Sequence, residues 1–138
     1  MDQLNWTYNN TIFSEDMIGD NYGFVYEITD PNGRKYIGKK FFYSSKTKQV
    51  KGKKKKMKVS SDWKTYFGSN EELKGELSKQ GKENFTREIL YFCKSKAECS
   101  YVEAREQFTR KVLESEDYYN GHIQVRVHGS HIKNKLGS

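Results

Sequence analysis

The sequence predicts an α/β fold: a small, mainly antiparallel three-stranded sheet flanked by helices. Three observations carry it. Residues 23–38, GFVYEITDPNGRKYIG, place strand-forming residues on both sides of strong turn chemistry. Residues 85–93, FTREILYFC, hold a nearly continuous apolar run, as in a strand covered on both faces. Ser69 and Ser95 each have a glutamate three residues on, the spacing of a capping box at a helix start.

The chain has 138 residues, a net charge of +7 and a pI near 9.3, with 34% hydrophobic and 14% aromatic residues. That length supports one domain with one aromatic-rich core. The basic balance points to a polyanion, nucleic acid first and an acidic membrane surface second. No apolar run reaches membrane-spanning length, and the N-terminus lacks a signal-peptide pattern. Cys93 and Cys99 are too few for a disulfide framework or a zinc site, which fits a reducing cytosol. Three segments are expected: an N-terminal arm at 1–22, a domain at 23–121 with a lysine-rich insertion at 44–61, and a tail at 122–138.

In the hairpin, Phe24, Val25, Tyr26 and Ile28 suit a pleated surface. A three-residue loop, Pro31-Asn32-Gly33, makes a type I turn closed by a glycine bulge. Asp30 then faces Arg34, Ile28 faces Tyr36, and Tyr26 faces Gly38. Tyr26, Ile28 and Tyr36 share one face, and the glycine leaves room beside Tyr26. A loop one residue shorter or longer would move Tyr36 off that face.

The insertion, SSKTKQVKGKKKKMKVSS, holds eight lysines and no acid. Such charge cannot bury, so it is a mobile loop or an exposed hairpin around Gly52. It follows the hairpin directly and suits phosphate gripping without sequence readout. Lys39, Lys46, Lys48, Lys51, Lys53, Lys54, Lys55, Lys56, Lys58 and Lys64 are the candidate nucleic-acid contacts.

The first helix is expected to start with Ser69 as N-cap, carry Leu73 and Leu77, and end at Gly81. The second is expected to run from Ser95 to about Leu113. Ala97, Tyr101, Ala104, Phe108 and Val112 form one stripe, and Cys99, Val102 and Leu113 another. Glu103, Gln107, Arg110 and Lys111 are assigned to solvent. Glu106 falls with Cys99, Val102 and Leu113, where a lone carboxylate is costly unless it is paired or binds metal. Asn120-Gly121 is a turn signal, and Gln124–Val127 alternates as an edge strand would.

Val25-Tyr26, a turn about ten residues long, and Tyr36-Ile37-Gly38 resemble the GIY-YIG nucleases. The helix–strand unit from Asn70 to Cys93, the helix carrying Ala104-Arg105-Glu106-Gln107-Phe108, and the Tyr119-Asn120 pair follow in the family's order. The likeness runs from Gly23 to Asn120. It implies a metal-dependent endonuclease of the type phages encode, homing-like or DNA-processing, working in the host cytoplasm. It also implies a catalytic set of Tyr26, Tyr36, Tyr66, Lys40, Glu106 and Asn120. Tyr26 is the first choice for the base, with Tyr36 or Tyr66 second. In the family the interval at 61–68 carries a catalytic Arg, with His or Tyr four residues later. Tyr66 fills the second place, but Asp62 stands at the first. Lys40, Lys64 and Arg105 are candidates for the missing cation.

With one well-placed carboxylate, the expected cofactor is a single Mg²⁺ or Mn²⁺ on Glu106. The expected partner is double-stranded DNA, with specificity low or supplied by a homodimer or partner protein. Two other readings stand beside this one: a catalytically inactive nucleic-acid-binding derivative, and a small basic RNA-binding or structural protein.

Overall fold

Turn chemistry at Asp30–Gly33 sets the centre of the fold. The structure, a computed structural model, describes residues 4–133, apart from the side chains of Lys48, Val50 and Lys56. In chain order the strands and helices are β1 (Thr7–Tyr8), β2 (Thr11–Ile12), β3 (Gly23–Thr29), β4 (Lys35–Phe41), β5 (Tyr43–Val50), β6 (Lys53–Ser60), α1 (Glu71–Gln80), β7 (Thr86–Cys93) and α2 (Lys96–Thr109). β3 and β4 pair in the expected register, Tyr26 opposite Gly38 and Ile28 opposite Tyr36. Gly33 takes φ 92°, and its N–H donates to Asp30 O at 3.1 Å. Asp30 Oδ1 accepts from the backbone N–H groups of Asn32 and Arg34, each at 2.8 Å, and fixes the loop at three residues.

The sheet has five strands in the order β2-β1-β7-β3-β4, so the expected three-stranded core is there but extended. β7-β3-β4 is antiparallel, while β1 joins β7 in parallel through Thr7 and Glu88. The segment expected as an N-terminal arm therefore belongs to the sheet and the core. Trp6 is buried, its indole N–H donates to Trp63 O at 2.7 Å, and its ring packs edge-on to Phe24 and Tyr26. Between β3 and β7 the register shifts at Val25/Tyr26, so Leu90 is an extra residue in β7. Such a bulge re-aims neighbouring side chains.

Two apolar layers sandwich the sheet. One face carries Phe24, Tyr26 and Ile28, which pack with Trp6, Phe42, Trp63, Leu73 and Phe85. The other carries Val25, Ile37 and Cys93, which pack with Cys99, Val102 and Val112. Each fully buried large side chain contributes about 1.5–3 kcal/mol.

The helices differ from expectation in three ways. α1 is capped by Asn70, whose Oδ1 accepts from Leu73 N at 2.9 Å; Ser69 is freed for another role. α2 ends at Thr109, ahead of Leu113, because Lys111 turns left-handed at φ 54°. Its expected apolar stripes hold only in part: Ala104 and Val112 are buried, as are Cys99 and Val102, but Tyr101, Phe108 and Leu113 are exposed. The sheet side of α2 is Cys99, Val102, Glu103, Glu106, Gln107 and Arg110. The polar members are accepted there, Gln107 buried and the others partly so, because β3 and β4 offer partners, Glu27, Lys39 and the Ile37 carbonyl. Gln124–Val127 forms no strand. Residues 1–3 of the expected arm and 134–138 of the expected tail lie outside the described residues. Among those described, no helix is long and apolar enough to cross a membrane.

Candidate active site

β4 is an edge strand, and the segment after α2 runs along that edge as far as Ile37. Lys35 N–H donates to Asp117 O, Tyr119 N–H donates to Lys35 O, and Ile37 N–H donates to Asn120 Oδ1. Asn120 Nδ2 returns a bond to Ile37 O at 2.8 Å. Asn120 thus acts as a strand partner made from a side chain. Past Ile37 two adjoining cavities, of 210 and 340 Å³, lie along the edge. Residues from both faces of the sheet meet there: Tyr26, Tyr36 and Lys40 from one, Lys39 and Glu103 from the other.

Gly38 makes this junction feasible, because a Cβ there would overlap the Tyr26 phenol. Tyr26 is almost wholly buried and lines the floor of the larger cavity. Its ring lies 6.2 Å from Tyr36 and 6.0 Å, edge-on, from Tyr66. Burial, with Tyr66 and Tyr36 adding, pushes Tyr26 well above the ordinary tyrosine range. Tyr36 is half-buried, lines both cavities, and shares a hydrogen bond of 3.3 Å with the Ser69 hydroxyl. Burial raises its pKa too, and Tyr66 and Glu103 add to that rise while Ser69 opposes it.

Lys40 Nζ sits 4.0 Å over the Tyr66 ring and pairs with Asp62 at 2.6 Å. Of the three candidates for the missing cation, it is the one that lines either of these two cavities. Lys64 pairs with Glu15 at 2.6 Å, and Arg105 lies beside the rings of Tyr91 and Tyr101. Among the described residues no arginine lines either cavity.

The carboxylate at the site is Glu103, which the sequence reading had assigned to solvent. Burial raises its pKa, and Lys39 Nζ, at 3.1 Å from Oε1, opposes the rise. Glu106, the expected metal ligand, points elsewhere. It accepts from Arg110 Nε at 2.6 Å, and Arg110 also binds Glu27, which Lys35 approaches at 3.6 Å. Glu106 lines neither cavity. The reason is rotation: Glu103 and Glu106 flank Cys99 on the sheet side of α2, and only Glu103 leans toward the open end of β4.

Sequence reasoning also missed Ser69, Gln107 and His122, which line the smaller cavity. Gln107 Nε2 donates to Ile37 O at 3.0 Å, and its buried Oε1 has no hydrogen-bond partner. The usable signal for Glu103 was its spacing from Gln107, four residues on, on the flank of the buried Cys99–Val102 row.

These residues suit a divalent metal. A partly buried carboxylate with a raised pKa gains from an added cation, and an unpartnered amide oxygen on the same cavity can take a hydrogen bond from water. Among the described residues no cluster of three or more His, Cys, Asp or Glu gathers. An ion on Glu103 would thus complete its shell with waters and a phosphate, as magnesium commonly does.

Residues 6–123 match the family described as "Putative endonuclease segE, GIY-YIG domain". Over 100 residues the chain is 33% identical to a protein of Enterobacteria phage T4 named "Putative endonuclease segE", covering 72% of this chain. The chain spans 40% of the length of that curated relative. No solved structure matches.

Proposed function

The chain belongs to the GIY-YIG family, and from that premise we propose that it is a metal-dependent endonuclease that hydrolyses phosphodiester bonds of duplex DNA. One observation carries the reading: Tyr26, Tyr36, Lys39, Lys40 and the partly buried carboxylate of Glu103 converge on one edge of the sheet at Gly38.

Glu103 would hold a magnesium or manganese ion, which would supply positive charge to the phosphate and to the leaving 3′ oxygen. Tyr26 takes a proton from the attacking water at Oη, and Tyr36 orients that water. Because burial holds Tyr26 well above the ordinary tyrosine range, it keeps its proton in the free protein. Its deprotonation depends on positive charge gathered at the site, to which Lys39 and Lys40 contribute. Lys40 serves where the family uses arginine, as a point charge without a two-pronged grip. Asn120 and Gln107 hold the Ile37 carbonyl and so the course of β4. Lys46, Lys48, Lys51, Lys53 to Lys56 and Lys58 bind phosphates.

Nicking of supercoiled plasmid tests the reading. The protein is expected to nick in Mg²⁺ or Mn²⁺ and to stop in EDTA. Binding without nicking in either ion would favour the inactive derivative, for which the absent arginine speaks. Binding to RNA alone would favour the RNA-binding reading.

A further inference from the structure

The lysine-rich insertion is a regular ribbon. β5 and β6 pair along their whole length, from Tyr43–Ser60 to Val50–Lys53, as a two-stranded sheet of their own. Lys51 and Gly52 close it with φ 51° and 78°, the twisted two-residue turn that suits a hairpin. Eight residues per strand reach about 26 Å. By register Lys46, Lys53 and Lys55 lie on one face, Lys54 and Lys58 on the other, and all five are exposed. At its root Ser61 N–H donates to Phe42 O at 2.8 Å, and Tyr43 and Ser44 line the larger cavity beside Tyr26 and Glu103.

We propose that this ribbon lies lengthwise in the major groove of duplex DNA, one cationic face toward each row of phosphates. The proposal rests on the nuclease reading above and specifies its substrate: B-form duplex extending to one side of the cleaved bond. A flat surface or a single strand would engage only one lysine face. The major groove, about 12 Å wide, admits a two-stranded ribbon, whereas the minor groove, about 6 Å wide, does not without deformation. The deep, narrow major groove of double-stranded RNA excludes it. At about 3.4 Å per base pair the ribbon spans about eight pairs.

The test is binding, measured in EDTA by fluorescence anisotropy, to a duplex of about 20 base pairs, its single strand, and the same sequence as double-stranded RNA. Duplex DNA is expected to bind at least tenfold tighter than either. Methyl green, which occupies the major groove, should displace the protein, and netropsin, which occupies the minor groove, should not. A variant with Lys46→Gln, Lys53→Gln, Lys55→Gln and Lys58→Gln should lose the preference and flatten the log–log salt slope by about 3–4. These side chains are exposed, so circular dichroism should be unchanged. Displacement by netropsin, equal binding of RNA, or a preference that survives in the variant would each overturn the proposal. If the wild type also nicks plasmid, the nuclease reading survives that failure; if it neither binds nor nicks, both fall.

Discussion

Glu103 and Glu106 lie on the sheet side of one helix, three residues apart, and their surroundings differ. Glu106 belongs to a closed network in which one guanidinium serves it and Glu27 together. Glu103 has a single lysine on one oxygen and a cavity beside it. A carboxylate whose partners are complete holds a fold together. One left with accepting capacity toward a cavity is available for chemistry. The contrast arises from β4: its edge is covered as far as Ile37, and Glu103 sits just past that cover.

The network end can be broken first. Arg110→Ala leaves Glu27 and Glu106, whose side chains are 12% and 14% exposed, without their shared cation. The expected loss, by urea denaturation, is about 2–3 kcal/mol, less than for a fully buried pair because Arg110 is itself partly exposed. Lys39→Ala should lose only about 1 kcal/mol, since water in the cavity can replace it at Glu103. Equal losses would erase the distinction between the two ends.

A third carboxylate sharpens the comparison. Asp30 is buried, and burial acts to raise its pKa. The Tyr119 hydroxyl at 2.6 Å and the backbone N–H groups of Arg34, Asn32 and Gly33 outweigh that and hold it below the ordinary value of 3.8. A folded pKa below the unfolded one means stabilisation present in full above the unfolded value and lost as pH falls through the folded one. Asp30→Asn should therefore cost about 1 kcal/mol at neutral pH, and the gap from wild type should close in strong acid. A gap that stays constant down the acid limb would show that charge plays no part in this turn.

The hairpin was legible because local chemistry decides it. Asp30, Pro31 and Gly33 fix the loop length, and loop length fixes which side chains share a face. Tyr26, Tyr36 and Gly38 could therefore be put together from sequence. The rotation of α2 was not legible, because the face it turns to the sheet mixes polar side chains with Cys99 and Val102. Glu103, Gln107 and Arg110 are accepted there by Lys39, Ile37 and Glu27, distant in sequence and brought near only by folding. The exposed Tyr101 and Phe108 then mimic a core stripe. Arg87 was missed for a similar reason. It is buried between Trp6 and Phe67 and donates to the carbonyls of Tyr66, Lys64 and Leu4, and burial pushes its pKa down to about 10. Its place two residues before Ile89, on the inward face of β7, was the available sign. Ser69 and Asn70 are adjacent potential caps, and pattern alone does not choose between them.

The most direct measurement of the central claim compares Glu103→Gln with Glu106→Gln in plasmid nicking with Mg²⁺. DNA binding is read by anisotropy and folding by circular dichroism on the same samples. Glu103→Gln should bind DNA, keep its fold, and nick at least about a hundredfold more slowly. Glu106→Gln should stay within about tenfold of wild type. An active Glu103→Gln beside an inactive but folded Glu106→Gln would contradict the account and return the metal to Glu106.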